Sequence, residues 1–308
     1  MRIKDAISRT TDMRLISCFM CLLVLGPLTS SALAQVAAPL RQAHAHNDYL
    51  HERPLLDALD HGFTSVEADV YLVDGALLVA HEVRELKPER TLEKLYLDPL
   101  RARIAKHGGR VYPDASAFGL LIDIKSEAEA TYLALHDVLS KYADIVAAVD
   151  QGHVQPGAVR VVISGNRPQE LIAAQQKRYC GIDGRVSDLD SPWPAHLLPM
   201  ISDNWTKQFQ WRGVSPMPGQ ERQRLKDIVE RAHAQGRSVR FWATPDTPAM
   251  WRELTAAQVD LINTDDLAGL EKFLRSQPAP STESPRTESP PAKSSPAKAS
   301  SIESPAKT

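Results

Sequence analysis

Short apolar runs typical of buried strands alternate along the chain with longer stretches that carry apolar residues at helical spacing. The runs predict strands at 66–73, 118–125, 159–163, 238–242 and 259–265, and short segments at 40–46, 185–187 and 199–202 are interpreted as further strands. The stretches between them predict helices at 53–61, 91–107, 126–142, from 167 onwards, at 225–234 and at 249–258. Strands that alternate with helices favour a parallel sheet, and eight such units predict an α/β protein of the TIM-type (β/α)8 barrel class.

The predicted strand at 66–73 carries a distinctive polar pattern. Glu67 and Asp69 are two positions apart, so both side chains project from one face while the apolar residues around them project from the other. Asp74-Gly75 then separates two apolar runs, which predicts a hairpin that brings His81 back toward the acids. The segment therefore offers two carboxylates suited to a metal and one titratable imidazole. The alternative is a surface strand with two solvated acids and an unrelated histidine.

Polar residues follow most of the predicted strands. In a barrel the carboxyl ends of the strands form one active-site face, so we expect these side chains to surround a single mouth. The residues placed in this way are His44, His46, Glu67, Asp69, His81, Asp123, Lys125, Asn166, Asn204, Trp242 and Asp265.

The two ends of the chain differ in composition from its middle. A basic start, an apolar run at 15–26 and the small-residue motif at 32–34 predict a signal peptide over 1–34 and an exported protein, periplasmic or secreted. Pro, Ser, Ala, Lys and Glu dominate 277–308, which predicts a disordered tail. The part between them, 35–276, contains no Pro/Gly/Ser-rich linker, and its roughly 240 residues suit a single barrel domain.

Charge, hydropathy and cysteine content bear on three further properties of the chain: nucleic-acid binding, membrane segments and disulfide bonds. The formal net charge of −2 gives no indication of a nucleic-acid partner. The apolar run at 15–26 is too short to span a bilayer, so we expect no integral membrane segment in the mature chain. Cys180 would be its one thiol, which excludes an intramolecular disulfide.

The order and spacing of these residues resemble the phospholipase C-like phosphodiesterase superfamily, which includes glycerophosphodiester phosphodiesterases, phosphatidylinositol-specific phospholipases C and sphingomyelinases D. The motifs that carry the resemblance are Ala43-His44, Glu67-Ala68-Asp69, Asp74-Gly75, His81-Glu82, Asp123-Ile124-Lys125, Trp242 and Asn263-Thr264-Asp265. The His-Ala-His-Asn-Asp-Tyr sequence at 44–49 is similar to the group related to altered inheritance of mitochondria protein 6.

The resemblance implies a metal-dependent phosphodiester hydrolase. His44 and His81 would be the catalytic acid and base, and Lys125 would meet the phosphate charge. One divalent cation, Mg²⁺ or Ca²⁺, would be held by Glu67, Asp69 and Asp123, and hard oxygen ligands suit these ions. We further predict substrate contacts from His46, Asn47, Asn166, Asn204, Trp242 and Asp265. The partner would be a small-molecule or lipid phosphodiester, such as a glycerophosphodiester or a phospholipid.

This chain departs from the glycerophosphodiesterases in two places. Those enzymes carry Arg after their first His, whereas Ala45 follows His44 here. The third acid, Asp123, is the residue type of the sphingomyelinase D branch.

Two alternative functions remain open. His44-Ala45-His46 at the end of a first barrel strand also resembles the metal-dependent amidohydrolases and the histidinol-phosphatase-type phosphoesterases. That class needs further histidines at later strand ends, where only Asp265 fits. The other alternative is an exported binding protein that kept the barrel and lost catalysis.

Overall fold

Eight parallel strands close into a barrel in the computed structural model, which describes residues 37–113 and 117–277. Hydrogen bonds join neighbouring strands in chain order, and the first strand pairs with both the second and the last, which closes the sheet. The TIM-type barrel predicted from the sequence is therefore confirmed. The strands are β1 (Leu40–Ala45), β2 (Phe63–Val73), β3 (Phe118–Ile124), β4 (Val159–Gly165), β5 (Gly181–Gly184), β6 (Met200–Asn204), β7 (Ser238–Trp242) and β8 (Leu261–Thr264).

Helices connect the strands and contribute buried apolar residues to the core, as Leu225, Ile228 and Ala232 do. The α-helices are α1 (Leu56–Asp60), α2 (Asp98–Lys106), α3 (Ala128–Ser140), α4 (Gln169–Ala174), α5 (Trp205–Gln208), α6 (Gly219–Ala234), α7 (Pro248–Ala256) and α8 (Leu267–Ser276). Shorter helical turns are Asp48–Leu50, Val83–Glu85, Glu93–Leu97 and Val186–Asp188. No helix within the described ranges combines the length and the apolar character needed to cross a bilayer.

Alternation along β2 separates the hydrophobic core from the polar interior of the barrel. Val66, Ala68 and Val70 are fully buried in the core cluster. Because successive side chains point to opposite faces, Glu67 and Asp69 project into the barrel. The polar interior therefore begins within the same strand that builds the core.

The predicted hairpin follows β2 directly. Asp74 and Gly75 have φ angles of 49° and 82°, and the chain returns as the antiparallel strand Ala76–Val79. Positive φ at both turn residues matches the twist of the flanking strands, which is why Asp-Gly suits this position. The amide of Ala80 donates to the carbonyl of Asp69 at 3.3 Å, so His81 returns to the level of the acids.

Several element predictions need correction. The predicted strand at 185–187 is wrong, because the strand is Gly181–Gly184 and the chain then turns through Val186–Asp188. Glycine at 181 reflects close packing, since a Cβ there would lie 2.5 Å from Pro199 Cδ. A small separate sheet of Ala148–Asp150, His153–Gln155 and Lys177–Arg178 was not predicted.

The predicted domain limits fall partly beyond what the structure describes. The predicted signal peptide at 1–34 and the tail after Gln277 lie outside the described residues. The described residues themselves all belong to one compact unit.

Candidate active site

Three carboxylates meet at the mouth of the barrel. Glu67 and Asp69 come from β2, and Asp123 stands in register with Asp69 on the neighbouring strand β3. One oxygen of each acid lies within 4.8 Å of the others. Asp69 Oδ1 is buried, and no described group forms a hydrogen bond with it. This arrangement could hold one divalent cation, because hard cations prefer clustered carboxylate oxygens.

The clustered acids repel one another, and their pKa values reflect this. Burial raises the pKa of Asp123 to about 6; Lys125 opposes this rise and Asp69 adds to it. Burial and the charge of Glu67 likewise raise the pKa of Asp69. Burial also acts to raise the pKa of Glu67, but the guanidinium of Arg240 outweighs it and leaves that pKa lowered. A cation placed among the acids would relieve the remaining repulsion.

Lys125 lies beside the acids at the end of β3. Its Nζ is 3.1 Å from Asp69 Oδ2 and 3.1 Å from Asp123 Oδ1. Burial acts to lower its pKa, but the two carboxylates raise it further, so the ammonium group stays charged. Lys125 thus supplies a fixed positive charge next to the possible cation position.

His81 reaches the mouth from the hairpin. Its Nδ1 lies 3.2 Å from Asp69 Oδ2 and 2.9 Å from the hydroxyl of Tyr49. The Tyr71 hydroxyl donates to the carbonyl of His81 at 3.0 Å and fixes the backbone. The side chain is 51% exposed. His81 is therefore held through one ring nitrogen, while the rest of the ring remains accessible.

His46 is held in a similar way on the other side of the mouth. Its Nδ1 lies 2.8 Å from Asp265 Oδ1, and its backbone amide donates to the carbonyl of Thr264 at 3.0 Å. The side chain is 25% exposed. The ring is linked to the acid cluster through two neighbours: Asn47 Nδ2 lies 2.9 Å from His46 Nδ1, and the Tyr49 hydroxyl contacts both Asn47 Oδ1 and Asp69 Oδ2.

His44 lies deeper in the barrel. It is fully buried, with Nδ1 2.7 Å from Ser65 Oγ and Nε2 3.5 Å from Glu67 Oε2. Burial, aided by the charge of Arg240, lowers the pKa of His44 to about 4, which keeps the ring neutral. Both ring nitrogens of His44 therefore contact protein groups.

The other predicted contact residues lie around the same rim, but several of them have local structural bonds. Asn166 Nδ2 donates to the carbonyl of Ser126 at 2.9 Å. Asn204 Oδ1 accepts from the amide of Thr206 at 2.8 Å and caps α5. Trp242 ends β7 in register with Asn204.

Asn47 and Asp265 belong to the surroundings of His46. Asn47 adopts a left-handed backbone conformation with φ 49°, and its Nδ2 donates to Asp265 Oδ1 at 3.3 Å. Its Oδ1 lies 2.7 Å from the hydroxyl of Tyr49. These contacts link the His46 and His81 sides of the mouth through one tyrosine.

Sequence reasoning missed two buried residues that contact the acids. The Tyr49 hydroxyl donates to Asp69 Oδ2 at 2.6 Å. Arg240 on β7 forms an ion pair with Glu67, and its Nε donates to Asn263 Oδ1 at 2.8 Å. A charged residue inside the apolar run of β7 was a signal for Arg240, since buried charges require partners. Tyr49 gave no comparable signal.

A cavity of about 630 Å³ opens at the opposite end of the barrel. Val149, Arg160, Tyr179 and Asp260 contribute to its walls, and none of the three clustered acids does. The amino-terminal ends of the strands surround it, so it is separate from the acid cluster.

The closed barrel and its mouth of acids define a member of the superfamily of glycerophosphodiester phosphodiesterases and phospholipases C, as the sequence predicted. The family model described as the AIM6-like phosphodiesterase domain matches residues 32–113. The model of the glycerophosphoryl diester phosphodiesterase family matches residues 238–268. These matches cover the segment with the first two acids and the strand with Arg240.

Curated relatives identify the family within this class. Altered inheritance of mitochondria protein 6 of Eremothecium gossypii is 30% identical over 80% of this chain and 73% of that protein. The homolog of Arthroderma benhamiae is 26% identical over 73% of this chain and 81% of its own length. The Saccharomyces cerevisiae protein is 28% identical, with coverage of 73% and 68%. The chain belongs to the altered inheritance of mitochondria protein 6 family.

Two solved structures are also similar. The glycerophosphodiester phosphodiesterase from Agrobacterium tumefaciens has a TM-score of 0.47 and 17% identity, covering 77% of this chain and 100% of its own. That from Parabacteroides distasonis has a TM-score of 0.46 and 17% identity, with coverage of 78% and 99%.

The predicted export to the periplasm or medium is wrong. The relatives are named for the inheritance of mitochondria, and none of the three names describes a secreted or periplasmic protein. Basic and apolar residues near an amino terminus also occur in other targeting segments, so composition did not determine the compartment.

Proposed function

We propose that this protein hydrolyses phosphodiesters at the barrel mouth, with His46 and His81 as the acid and base. The observation that carries the proposal is the matched setting of the two rings. Each is partly exposed, and each is held through Nδ1 by a carboxylate, Asp265 or Asp69. A histidine oriented in this way presents its other nitrogen for proton transfer.

His46 takes the role in this proposal that the sequence suggested for His44. A proton-transfer group must reach the substrate, and His44 is fully buried with both nitrogens in contact with protein groups. Its low pKa also makes it a poor proton donor near neutral pH. We assign His44 the role of a neutral support for Glu67.

The charges at the mouth suit a phosphodiester. Lys125 and Arg240 offset two of the three carboxylates, so a bound divalent cation would leave one net positive charge to meet the diester monoanion. When bound by Glu67, Asp69 and Asp123, Mg²⁺ or Ca²⁺ supplies Lewis-acid polarisation of the phosphoryl group. Lys125 adds a point charge to the non-bridging oxygens.

The two imidazoles would move the protons. One accepts a proton from water or from a substrate hydroxyl as the new P–O bond forms. The other donates a proton to the leaving oxygen as the old P–O bond breaks. The substrate in this proposal is a small-molecule or lipid phosphodiester.

The donor set does not favour the amidohydrolase-type alternative. In the described parts of the chain, the group of potential ligands with metal-binding spacing consists of Glu67, Asp69 and Asp123. Neither His44 nor His46 belongs to it, whereas that alternative requires both as ligands.

Turnover of bis-p-nitrophenyl phosphate, with and without chelator, tests the proposal. We expect His46→Asn and His81→Asn to lower kcat by about 10²- to 10⁴-fold, the usual contribution of a positioned acid or base. His233→Asn is the matched control, because His233 is also partly exposed and lies 2.8 Å from a carboxylate, that of Asp260.

Full activity of His46→Asn would refute the assignment of that residue. Binding of the diester by the wild-type protein without any turnover would refute the hydrolytic function and favour a binding protein.

A further inference from the structure

Two arginines stand beside the acid cluster on the part of the rim formed by β4 and β5. We call Arg167 and Arg185 the arginine pair. Arg167 follows β4 by two residues and Arg185 follows β5 directly. Arg167 contacts the carbonyl of Gly165, and Arg185 contacts the hydroxyl of Ser164, the preceding residue of β4, so both guanidinium groups lie at the end of this strand. Burial and then the charge of Arg185 lower the pKa of Arg167, whereas the nearby acids, among them Asp183, act to raise it.

Arg185 uses only part of its hydrogen-bonding capacity. Its NH1 group donates to Asp183 Oδ2 at 2.7 Å, and Asp183 is fully buried. Its NH2 group has a long contact of 3.5 Å with Ser164 Oγ. Ser164 is in register with Asp123 on the adjacent strand, so this end of Arg185 faces the acid cluster.

Arg167 is less well paired than Arg185. Its NH1 group donates to the carbonyl of Gly165 at 3.2 Å, and its Nε is buried with no hydrogen-bond partner among the described residues. No carboxylate of the described residues forms an ion pair with it within 4 Å. The backbone of Gly165 abuts Asp123, because a Cβ on this glycine would lie 2.1 Å from Asp123 Oδ1.

We propose that the arginine pair binds a second anionic group of the substrate, a phosphomonoester carried on the same molecule as the scissile diester. This inference rests on the proposed function. Asp183 offsets one of the two positive charges, but Arg167 keeps a buried Nε without a hydrogen-bond partner among the described residues, and a bound anion would satisfy it. The planar fork of arginine suits a phosphate dianion. The diester itself is met by Lys125 and the cation position, so the arginine pair serves another group.

Two synthetic p-nitrophenyl phosphodiesters of propane-1,3-diol test the inference. One ends in a free hydroxyl and the other in a phosphate, so the scissile bond and leaving group are identical. We expect the full-length protein to favour the phosphorylated ester, in kcat/KM and in affinity, by roughly 10- to 100-fold, since hydrogen bonds to charged groups are lost with the hydroxyl ester. Affinity is measured by calorimetry with chelator present, where turnover is suppressed.

Arg167→Gln should reduce the preference for the phosphorylated ester by about 10-fold or more. Arg185→Lys should reduce it less, because lysine can still pair with Asp183 but lacks the fork. Arg160→Gln is the matched control, since Arg160 lies exposed at the opposite end of β4 and should leave both esters unaffected.

The outcomes separate this inference from the proposed function. A preference that survives Arg167→Gln overturns the inference, as does an equal loss with both esters, which would show that the pair holds the scissile phosphate. An arginine-dependent binding preference without turnover of either ester supports the inference in its binding part and overturns the hydrolytic function.

Discussion

Asp48 is a buried acid that anchors the loop carrying His46 and Tyr49, and its ionisation should make stability depend on pH. It is fully buried, and its Oδ2 accepts hydrogen bonds from the Leu55 amide at 2.6 Å and the Tyr96 hydroxyl at 2.9 Å. Burial raises the pKa of Asp48 from 3.8 to about 7, although these two hydrogen bonds oppose the rise.

The magnitude follows from this rise in pKa. The folded state holds the proton more tightly than the unfolded state, so the stabilisation is complete below the unfolded pKa of 3.8 and is lost as the pH rises to about 7. A rise of roughly three units corresponds to about 4 kcal/mol at ~1.4 kcal/mol per unit. Between pH 5 and pH 8 about 3 kcal/mol of this should be lost.

The assay compares the free energies of unfolding of the wild type and Asp48→Asn by urea denaturation at pH 5 and pH 8, with chelator present throughout. The Asp48→Asn variant has no proton to lose at this position. Its free energy of unfolding relative to that of the wild type should therefore rise by about 3 kcal/mol from pH 5 to pH 8. Asp227→Asn, on the exposed side of α6, should show no such shift. A wild-type and Asp48→Asn difference that stays constant within about 1 kcal/mol would refute the reasoning, because it would mean that burial does not raise this pKa.

Three further predictions concern the mouth. Tyr49→Phe removes the hydroxyl that contacts Asp69 and His81, so kcat should fall by about 10-fold with little change in KM, as steady-state kinetics would show; an unchanged kcat would argue against a positioning role. Gly165→Ala places a methyl group 2.1 Å from Asp123 Oδ1 at a residue with φ 67°, so thermal unfolding should show a lower Tm and no stabilisation by Mg²⁺; full stabilisation would contradict the packing. Mg²⁺ at 100 times its Kd should stabilise the wild type by about 2.7 kcal/mol in the same assay, chelator should reverse this, and Asp69→Asn should abolish it.

Periodicity predicted most of the barrel, because the strands other than β1 and β5 carry apolar runs. In β1 the apolar residues are Leu40, Ala43 and Ala45, which are separated by polar ones. The sequence did not predict β5, because Gly181-Ile182-Asp183-Gly184 has the composition of a turn. The glycines of β5 allow close contacts with neighbouring segments, such as that between Gly181 and Pro199, where a side chain would not fit. Such contacts involve residues distant in sequence, and local patterns do not record them.

The acids could be placed from the sequence more readily than the histidines. Glu67 and Asp69 are two residues apart in a strand, which puts both side chains on one face. The pairing of β2 with β3 brings Asp123 beside them. His44 and His46 have the same spacing, but alternation gives their common face and not their depth in the barrel. Depth depends on the stagger between β1 and β2, where His44 pairs with Ser65. The stagger is a property of the closed barrel.

The ion pair between Glu67 and Arg240 joins the second strand to the seventh across the inside of the barrel. Glu67 is synthesised long before Arg240, so this ion pair can form only once the last quarter of the chain has begun to emerge. This contact between distant strands can therefore form only when the barrel closes.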